Sequence, residues 1–421
     1  MTVSLLNIKR TLKKIVKKCI VLGWSIVYKN IFRFLPVNEK YIMFDSFLGR
    51  GYSCNPKAIH DYIKKNEDFL DYKFIWTYRK NNYRKVDNSI MVRYRSLKYF
   101  FYLSKSKYWI FNSKLSEGIY KKNNQIYVQT WHGTPLKKLA KDIDIGDDKT
   151  FYRSEVSKEE MVRTYEKDAE MYDYLVSPNK FSTEKFQSAF GVKREKILET
   201  GYPRNDILTN VNQQKIDNIK KKLNIPLDKK IILYAPTWRD NTFDSKGYLY
   251  KPDVDFKKWK ENLGNEWIVI YKPHYLIVND IKKDELVDFI YVASNNDDIN
   301  DLYIISDLLI TDYSSVFFDY GVLKRPILFY MHDLEEYKDN LRGFYLNIYE
   351  DLPGPIIEKE DRLLEEICNI KDFSKEYKNK YQEFYRKFCS LEDGNSTKRL
   401  VERVFNEKIY IDFVGNINKN L

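Results

Sequence analysis

Two histidines follow runs of apolar and aromatic residues that are typical of buried strands. The first, His132, comes just after the run 125–130 and precedes Gly133, Thr134 and Pro135, a pattern that indicates a helix start. A histidine at a strand end, beside a glycine that permits close backbone approach, can take a proton near neutral pH next to a bound anion. The alternative is a core histidine bonded to a backbone carbonyl. The surrounding pattern favours catalysis.

The second histidine, His274, stands with Lys272 and Pro273 after the apolar run 267–270. A lysine supplies a point charge and a histidine a hydrogen bond to a phosphoryl oxygen, both useful where negative charge builds up. The alternative is a proline that ends a strand between surface polar residues. The motif alone does not decide between the two interpretations.

A hydroxyl-rich turn lies between a strand-like run and a helical pattern in residues 308–320. Free N–H groups at a helix start, with serine hydroxyls and the positive end of the helix dipole, are suited to bind a pyrophosphate. The alternative is ordinary N-capping, which explains only one polar residue. The turn has five hydroxyl or carboxyl side chains, in Thr311, Asp312, Tyr313, Ser314 and Ser315.

Two arginines also follow strand-like runs shortly after prolines. Arg239 ends the segment Ala235 to Arg239, which includes Thr237, and Arg204 lies in the segment 200–206. A guanidinium fork suits phosphate oxygens. Either arginine can instead form an ion pair at a domain hinge, and for Arg204 the sequence does not decide.

The elements that position these residues alternate between short β-rich runs and helical patterns past Pro36, which predicts an α/β fold with parallel sheets covered by helices. In such folds ligands bind at the carboxyl ends of strands. A helical tail is predicted over 361–407, and a polar helix over 212–223. The predicted strands form two blocks: 40–47, 72–78, 107–111, 125–130 and 174–177, then 230–236, 266–272, 289–293, 308–311 and 326–330.

The charge of the chain is concentrated at its start. The whole chain carries +12, but residues 1–38 hold eight basic residues and no acidic one, leaving +4 for the rest. Apolar residues at three- and four-residue steps in 5–19 indicate an amphipathic helix, and the apolar run 19–28 is too short to span a bilayer. We expect a retained segment that contacts a membrane surface. The alternative is a helix packed on the body with solvated lysines.

The motifs together resemble the CDP-glycerol glycerophosphotransferase family, which includes the teichoic acid glycerol-phosphate and ribitol-phosphate primases and polymerases. The resemblance runs from about residue 40 to 405. It rests on seven motifs: WHGTPLK at 131–137, SPNKF at 177–181, TGYPRND at 200–206, APTWRD at 235–240, KPH at 272–274, TDYSS at 311–315 and DGNST at 393–397.

The resemblance implies a GT-B-like fold with two Rossmann-like domains facing across a cleft. The expected divisions are a basic membrane-contact segment 1–36, an acceptor domain 37–210, a CDP-donor domain 211–390 and a helical tail 391–421. Family members transfer a phosphoalditol from a CDP donor and are peripheral proteins of the inner membrane face. The four cysteines have no CxxC pair, which fits a reducing cytoplasm.

The resemblance also implies residue roles. His132 becomes the general base for the acceptor hydroxyl, and His274 a donor-phosphate group that steadies the displaced CMP. His332 is a further candidate for contact with the nucleotide, and residues 393–397 are expected to assist in holding the pyrophosphate. His60 has no assigned role. The expected substrate-binding residues are Gly133, Thr134, Lys137, Arg204, Thr237, Arg239, Lys272, Thr311, Asp312, Tyr313, Ser314, Ser315 and Asp319.

The expected partners are CDP-glycerol or CDP-ribitol, a lipid-linked saccharide or polymer acceptor and an anionic membrane surface, with no nucleic acid. No metal-ligand spacing is visible, so no obligatory cofactor is expected, although Mg²⁺ can accompany the nucleotide. Two alternatives stay open: an NDP-sugar glycosyltransferase of the same fold, and a non-catalytic protein that binds nucleic acid or a membrane. The low net charge of +4 outside residues 1–38 argues against the second alternative. The sequence separates neither glycerol from ribitol, nor primase from polymerase, nor teichoic acid from capsule.

Overall fold

The structure of the 421-residue chain is a computed structural model. Its contacts divide the chain into a first unit, Met1–His132, Glu159–Val176 and Gly191–Leu198, and a second unit that holds the remainder. The predicted domain boundaries stay a prediction. The residues described are 16, 19, 22–23, 26–80, 83–143, 157–237, 243–244, 247–248, 253–272, 286–294, 297–335 and 343–405.

The first unit is built on a sheet of seven strands in the order β3-β2-β1-β4-β5-β6-β7. The pairings from β3 through β6 are parallel. The order reverses between β1 and β4, which makes the carboxyl ends of these two strands the expected ligand crevice. The strands are β1 Asn38–Asp45, β2 Lys73–Tyr78, β3 Ser89–Arg93, β4 Ser106–Phe111, β5 Ile126–Gln129, β6 Tyr174–Ser177 and β7 Ile197–Glu199.

Continuous apolar runs explain why these strands lie in the centre of the unit. All six residues of β4 are buried, as expected for a parallel strand covered on both faces. Phe44 of β1 stacks on Trp76 of β2 with ring centroids 5.0 Å apart. The helices of this unit include α1 Cys54–Ile63, α2 Leu97–Lys105 and α3 Lys158–Glu170.

The end of the predicted membrane-contact segment packs against the first unit. Tyr28 and Phe32 are buried and contact the ring of Phe100. The Ser104 hydroxyl donates a hydrogen bond to the Phe32 carbonyl at 2.6 Å. Tyr28 and Phe32 are therefore packed on the body. Most of residues 1–25 lie outside the described residues, and membrane contact by this segment stays a prediction.

The second unit is built on a six-stranded parallel sheet in the order β12-β11-β8-β13-β14-β15. Its order reverses between β8 and β13, again next to predicted site residues. A separate two-stranded antiparallel hairpin joins β9 and β10. The strands are β8 Lys230–Ala235, β9 Phe243–Asp244, β10 Gly247–Tyr248, β11 Trp267–Tyr271, β12 Ile290–Val292, β13 Leu308–Thr311, β14 Ile327–Tyr330 and β15 Ile356–Ile357.

The helices of the second unit cover its sheet and make up the predicted tail, which is broken into several pieces. They are α4 Lys180–Phe190, α5 Asp206–Thr209, α6 Gln213–Lys222, α7 Phe256–Leu263, α8 Ile299–Ile305, α9 Val316–Tyr320, α10 Ile348–Asp351, α11 Glu360–Cys368, α12 Phe373–Glu376, α13 Lys378–Phe388 and α14 396–405. Short 3₁₀ turns occupy Phe32–Phe34, Glu67–Phe69, Ala140–Asp142, Arg194–Lys196, Pro203–Asn205, Gly321–Leu323 and Ile370–Asp372.

The predicted strands are confirmed to within two residues at each end. The sequence analysis missed β3, β7, β9, β10, β15, α3, α5 and α10. β7 and β15 have three and two residues, too few to show a periodicity, and four of the five residues of β3 are not buried, so it lacks the apolar run of a central strand.

Candidate active site

His132 lies at the carboxyl edge of the first sheet, three residues past the end of β5, and its side chain is exposed. Its Nδ1 is 2.6 Å from the backbone carbonyl oxygen of Asn112, which directly follows β4. Because a carbonyl oxygen only accepts, Nδ1 carries the hydrogen, and in the neutral ring Nε2 holds the lone pair. This is the tautomer that a general base requires.

The chain just before His132 is held in an unusual conformation. Trp131 has a φ of +49°, in the left-handed region, which costs a bulky residue about 1–3 kcal/mol. The buried side chains of Gln129 and Asn55 compensate: Gln129 accepts from the Trp131 N–H at 3.0 Å, and Asn55 Nδ2 donates to the Thr130 and Trp131 carbonyls. The Trp131 ring stacks on His132 at 4.5 Å. These contacts fix the position of the imidazole.

A left-handed turn follows β1 and also contacts His132. Phe47, Leu48 and Gly49 have φ values of +51°, +59° and +77°, and the Phe47 ring lies 5.5 Å from the His132 ring. The buried Asp45 carboxylate accepts from the Gly49 N–H, and burial raises the pKa of Asp45 to about 6 against the opposing effect of its hydrogen bonds. We define residues 46–50 as the β1 turn.

Asn112 connects the β1 turn to His132. Its Oδ1 accepts from the Phe47 N–H at 2.8 Å, while its backbone carbonyl accepts from His132. The sequence analysis missed Asn112, Gln129 and Asn55. The one available signal was position, since Asn112 follows a buried strand directly.

In the second unit the ends of β8 and β13 are tied together by predicted site residues. The Thr237 N–H and hydroxyl both donate to Asp312 Oδ1, at 2.7 and 2.5 Å. Thr311 is fully buried and donates its hydroxyl to the Ala235 carbonyl at 2.8 Å. The position of Thr311 therefore favours holding the strand ends together over direct contact with a phosphate.

Ser314 and Ser315 are half-buried and lie directly before α9, at the predicted helix start. Gly133 lies against Ser315: a Cβ on Gly133 would be 3.0 Å from Ser315 Oγ. The buried Tyr202 donates its hydroxyl to the Gly133 carbonyl at 3.0 Å and holds this backbone in place. The absence of a side chain at Gly133 thus leaves room for the Ser315 hydroxyl.

The other predicted residues of the 131–137 and 311–315 motifs have less direct positions. Thr134 is buried, and Lys137 forms a backbone bridge with Phe344. Tyr313 is also buried and donates its hydroxyl to Asp333 at 3.1 Å. The interior location of Thr134 and Tyr313 favours support of the site over contact with a ligand.

Lys272 follows β11, the neighbour of β8, so it lies at the same sheet edge as Thr237 and Asp312. Its Nζ donates to the Ser294 carbonyl, and burial lowers the pKa of Lys272. His274 and Arg239 lie outside the described residues.

Arg204 and Asp319, both predicted to bind substrate, bind each other. Arg204 Nη2 lies 2.9 Å from both Asp319 carboxylate oxygens, with side chains only 6% and 10% exposed. Asn205 Nδ2 also donates to Asp319. The guanidinium fork of Arg204 is directed at a carboxylate within the second unit, which agrees with an ion pair, and contact of Arg204 with substrate stays a prediction.

The 393–397 motif belongs to the same buried network. The Asp206 carboxylate accepts from the Ser396 and Thr397 N–H groups at the start of α14. Glu392 is buried, accepts from the Tyr202 N–H, and burial raises its pKa to about 8. The segments 200–206 and 391–399 thus stabilise one another, which is a structural role.

The remaining histidines and possible metal ligands give no second site. His60 is buried, with Nδ1 2.8 Å from the Tyr52 hydroxyl, and burial lowers its pKa to about 4. His332 Nε2 is 3.1 Å from Asp253 Oδ2. Across the described ranges, no three His, Cys, Asp or Glu side chains group as metal ligands.

Comparison with known proteins places the chain in a family. The profile described as "CDP-Glycerol:Poly(glycerophosphate) glycerophosphotransferase" matches residues 27–406. The chain belongs to this family. It is therefore a transferase of the CDP-alditol class in teichoic acid synthesis, as predicted from the motifs.

Similar proteins cover nearly the whole chain. The teichoic acid poly(glycerol phosphate) polymerase of Bacillus spizizenii is 46% identical over 385 residues, covering 90% of this chain and 95% of the relative. The teichoic acid glycerol-phosphate transferase of Staphylococcus aureus is 41% identical over 408 residues, covering 94% of this chain and 100% of the relative.

Solved structures confirm the predicted α/β, GT-B-like fold. The wall teichoic acid polymerase TagF superposes with a TM-score of 0.83 and 38% identity, covering 95% of this chain and 97% of that chain. A TagF variant soaked with CDPG superposes with a TM-score of 0.84 and 38% identity, covering 95% of this chain and 98% of that chain. The predicted basic N-terminal helix is not confirmed, since most of it lies outside the described residues.

Proposed function

We propose that this enzyme transfers glycerol phosphate, and not ribitol phosphate, from CDP-glycerol to the terminal hydroxyl of a teichoic acid acceptor and releases CMP. One observation carries the choice of alditol. Four relatives named for glycerol phosphate are 41–46% identical to this chain and a glycerol-phosphate primase is 31% identical, whereas three relatives named for ribitol phosphate are 28–33% identical. The acceptor is a lipid-linked saccharide or a growing polymer.

The geometry of His132 supports the first half of the reaction. Its Nε2, which holds the lone pair, takes the proton of the acceptor hydroxyl as that oxygen attacks the β-phosphorus of the donor. The new bond joins the acceptor oxygen to phosphorus, and the bond to the oxygen bridging the two phosphates breaks. CMP leaves with that oxygen and its electron pair, so one proton and one CMP are released for each unit added.

The carboxyl edge of the second sheet supports the second half, in which charge develops on the leaving CMP. We assign Lys272, Ser314 and Ser315 to the donor pyrophosphate, with Thr237 and Asp312 holding the strand ends that carry them. Arg239 and His274 are assigned to the same phosphates on the family resemblance. A metal ion is not required for this assignment, and Mg²⁺ can accompany the nucleotide.

Membrane contact is the second part of the proposal. Apolar side chains are exposed in the first 34 residues at Val16, Leu22, Ile26, Ile31 and Phe34, beside a basic stretch with no acidic residue. Within the described part of the chain, no helix has the length and apolarity to cross a membrane. These features support a peripheral enzyme that meets its lipid-linked acceptor at the cytoplasmic face.

The test is nucleotide release by the purified protein from CDP-glycerol, CDP-ribitol, UDP-glucose and UDP-N-acetylglucosamine, each with and without a lipid-linked glycerol phosphate acceptor. We expect acceptor-dependent CMP release from CDP-glycerol at a rate well above that from CDP-ribitol. Preference for CDP-ribitol would reverse the choice of alditol. UDP release alone would move the protein to the sugar-transferase alternative, and the length distribution of the product separates one addition from polymerisation.

A further inference from the structure

Two arginines at the carboxyl ends of β2 and β3 share one aromatic ring. The guanidinium carbons of Arg79 and Arg95 lie 5.5 and 5.4 Å from the centroid of the Tyr94 ring. The Tyr94 hydroxyl is 3.0 Å from Ser116 Oγ, and Arg95 Nη2 donates to the same oxygen. Stacking on a tyrosine fixed in this way restricts both guanidinium groups.

Neither arginine forms an ion pair with a carboxylate in the described part of the chain. Of the residues that the structure describes, no carboxylate lies within 4 Å of the guanidinium nitrogens of Arg79 or Arg95, although the buried Asp45 interacts electrostatically with Arg79. The guanidinium groups of Arg79 and Arg95 donate hydrogen bonds to neutral oxygens, Leu48 O and Ser116 Oγ. Donor capacity for an anion therefore remains.

The sequence around these arginines carries a second concentration of positive charge, which the sequence analysis missed. Residues 79–95 contain six basic residues and a single acid, Asp87, for a charge of +5. Arg79 is half-buried and Arg95 exposed. Like charges concentrated in one short segment attract an anionic ligand and increase its rate of association.

The β1 turn joins this patch to the general base. Arg79 donates from Nε to the Leu48 carbonyl at 2.9 Å and from its backbone N–H to the Gly49 carbonyl at 2.7 Å. The adjoining Phe47 contacts His132. Arg79 and His132 therefore contact the same five-residue turn within the first unit, and Arg95 stacks on the same Tyr94 ring as Arg79.

We propose that Arg79 and Arg95 bind a backbone phosphate of the acceptor chain and so place its terminal hydroxyl at His132. The inference rests on the proposed function and names the acceptor subsite of that reaction. Two planar guanidinium forks match the oxygens of a phosphodiester, and a glycerol phosphate polymer carries one such group in every unit. Because Tyr94 fixes the forks in advance, little side-chain entropy is lost on binding.

The experiment compares the variant Arg79→Gln/Arg95→Gln with the wild type on two acceptors of equal length, a glycerol phosphate oligomer and an uncharged oligoglycerol. We expect KM for the phosphate oligomer to rise at least about 10-fold, since each charged hydrogen-bonding group contributes strongly. KM for oligoglycerol and KM for CDP-glycerol should stay at the wild-type values. Arg79→Lys/Arg95→Lys should recover part of the loss.

The matched control is Arg163→Gln/Lys167→Gln, which removes two exposed charges from α3 of the same unit and should leave KM for the phosphate oligomer unchanged. An equal rise in KM for the neutral acceptor, or the same rise in the control, would overturn the proposal. The Arg79 change can disturb the β1 turn, which Arg79 contacts and Arg95 does not. In that case Arg95→Gln alone is compared with the wild type on the same two acceptors.

A binding measurement separates this inference from the proposed function. If the wild type releases no CMP from CDP-glycerol, the proposed function fails, and titration calorimetry with the glycerol phosphate oligomer still tests the arginine site. Weaker binding by the double variant than by the wild type and the α3 control supports the site. Equal binding by all three proteins refutes it.

Discussion

Replacing Asp319 by alanine tests whether Arg204 stabilises the fold or binds substrate. The substitution leaves the Arg204 guanidinium, which is only 6% exposed, without the carboxylate that holds it at 2.9 Å. Breaking a buried ion pair by removing one partner costs about 3–5 kcal/mol. In a domain of about 150–250 residues each kcal/mol lowers Tm by about 2–4 °C, so we expect a loss on the order of 10 °C.

The assay is thermal unfolding followed by circular dichroism, with two comparison variants. Glu402→Ala removes an exposed partner 3.9 Å from Lys398 and should change stability by less than about 0.5 kcal/mol. Arg204→Met/Asp319→Leu replaces both charges by apolar groups and should recover most of the loss. If Asp319→Ala keeps its Tm but loses affinity for CDP-glycerol, the pair belongs to the substrate site and the structural interpretation is wrong.

Three further predictions follow from other contacts. Burial raises the pKa of Glu392 to about 8 from its usual value near 4.5. Between these pH values the folded state keeps a proton that the unfolded state releases, so the free energy of unfolding falls as pH rises. In denaturant titrations, Glu392→Gln should remove the part of this fall that Glu392 causes. Gly201→Ala should cost at least about 1–2 kcal/mol from its left-handed backbone alone, with added strain because a Cβ would be 2.2 Å from Ser396 Oγ; an unchanged unfolding midpoint would contradict the packing described. Deleting residues 2–25 removes six basic residues but keeps the buried Tyr28. The deletion should weaken flotation with anionic vesicles, because each Lys or Arg near such a surface contributes about 1 kcal/mol to binding. Turnover of a soluble acceptor should stay at the wild-type rate.

The sequence was sufficient for the parts of the site that depend on local order. Strand ends could be predicted because parallel strands buried on both faces are continuous apolar runs, as in β11 and β14. The placement of His132, Lys272 and Ser315 at such ends followed directly. The order of the motifs along the chain also indicated the family, and the comparisons confirm it.

What the sequence did not predict depends on contacts between distant residues. The Asn112 carbonyl that sets the His132 tautomer is 20 positions away, and Asp319 lies 115 positions from Arg204. Trp131 adopts a left-handed backbone without the glycine that would have signalled it. Thr311 is a residue type that suits phosphate binding, but its burial favours a role in holding the strand ends together, which the sequence could not show.

The most direct test of the central claim is the rate of acceptor-dependent CMP release from CDP-glycerol by the wild type and by His132→Ala. His132 is exposed, so its removal should leave the fold and the affinity for CDP-glycerol unchanged. Loss of a general base lowers the rate by about 10²–10⁴-fold, and we predict a decrease in this range. A rate near that of the wild type would contradict the role of His132 and, with it, the mechanism proposed for this family member.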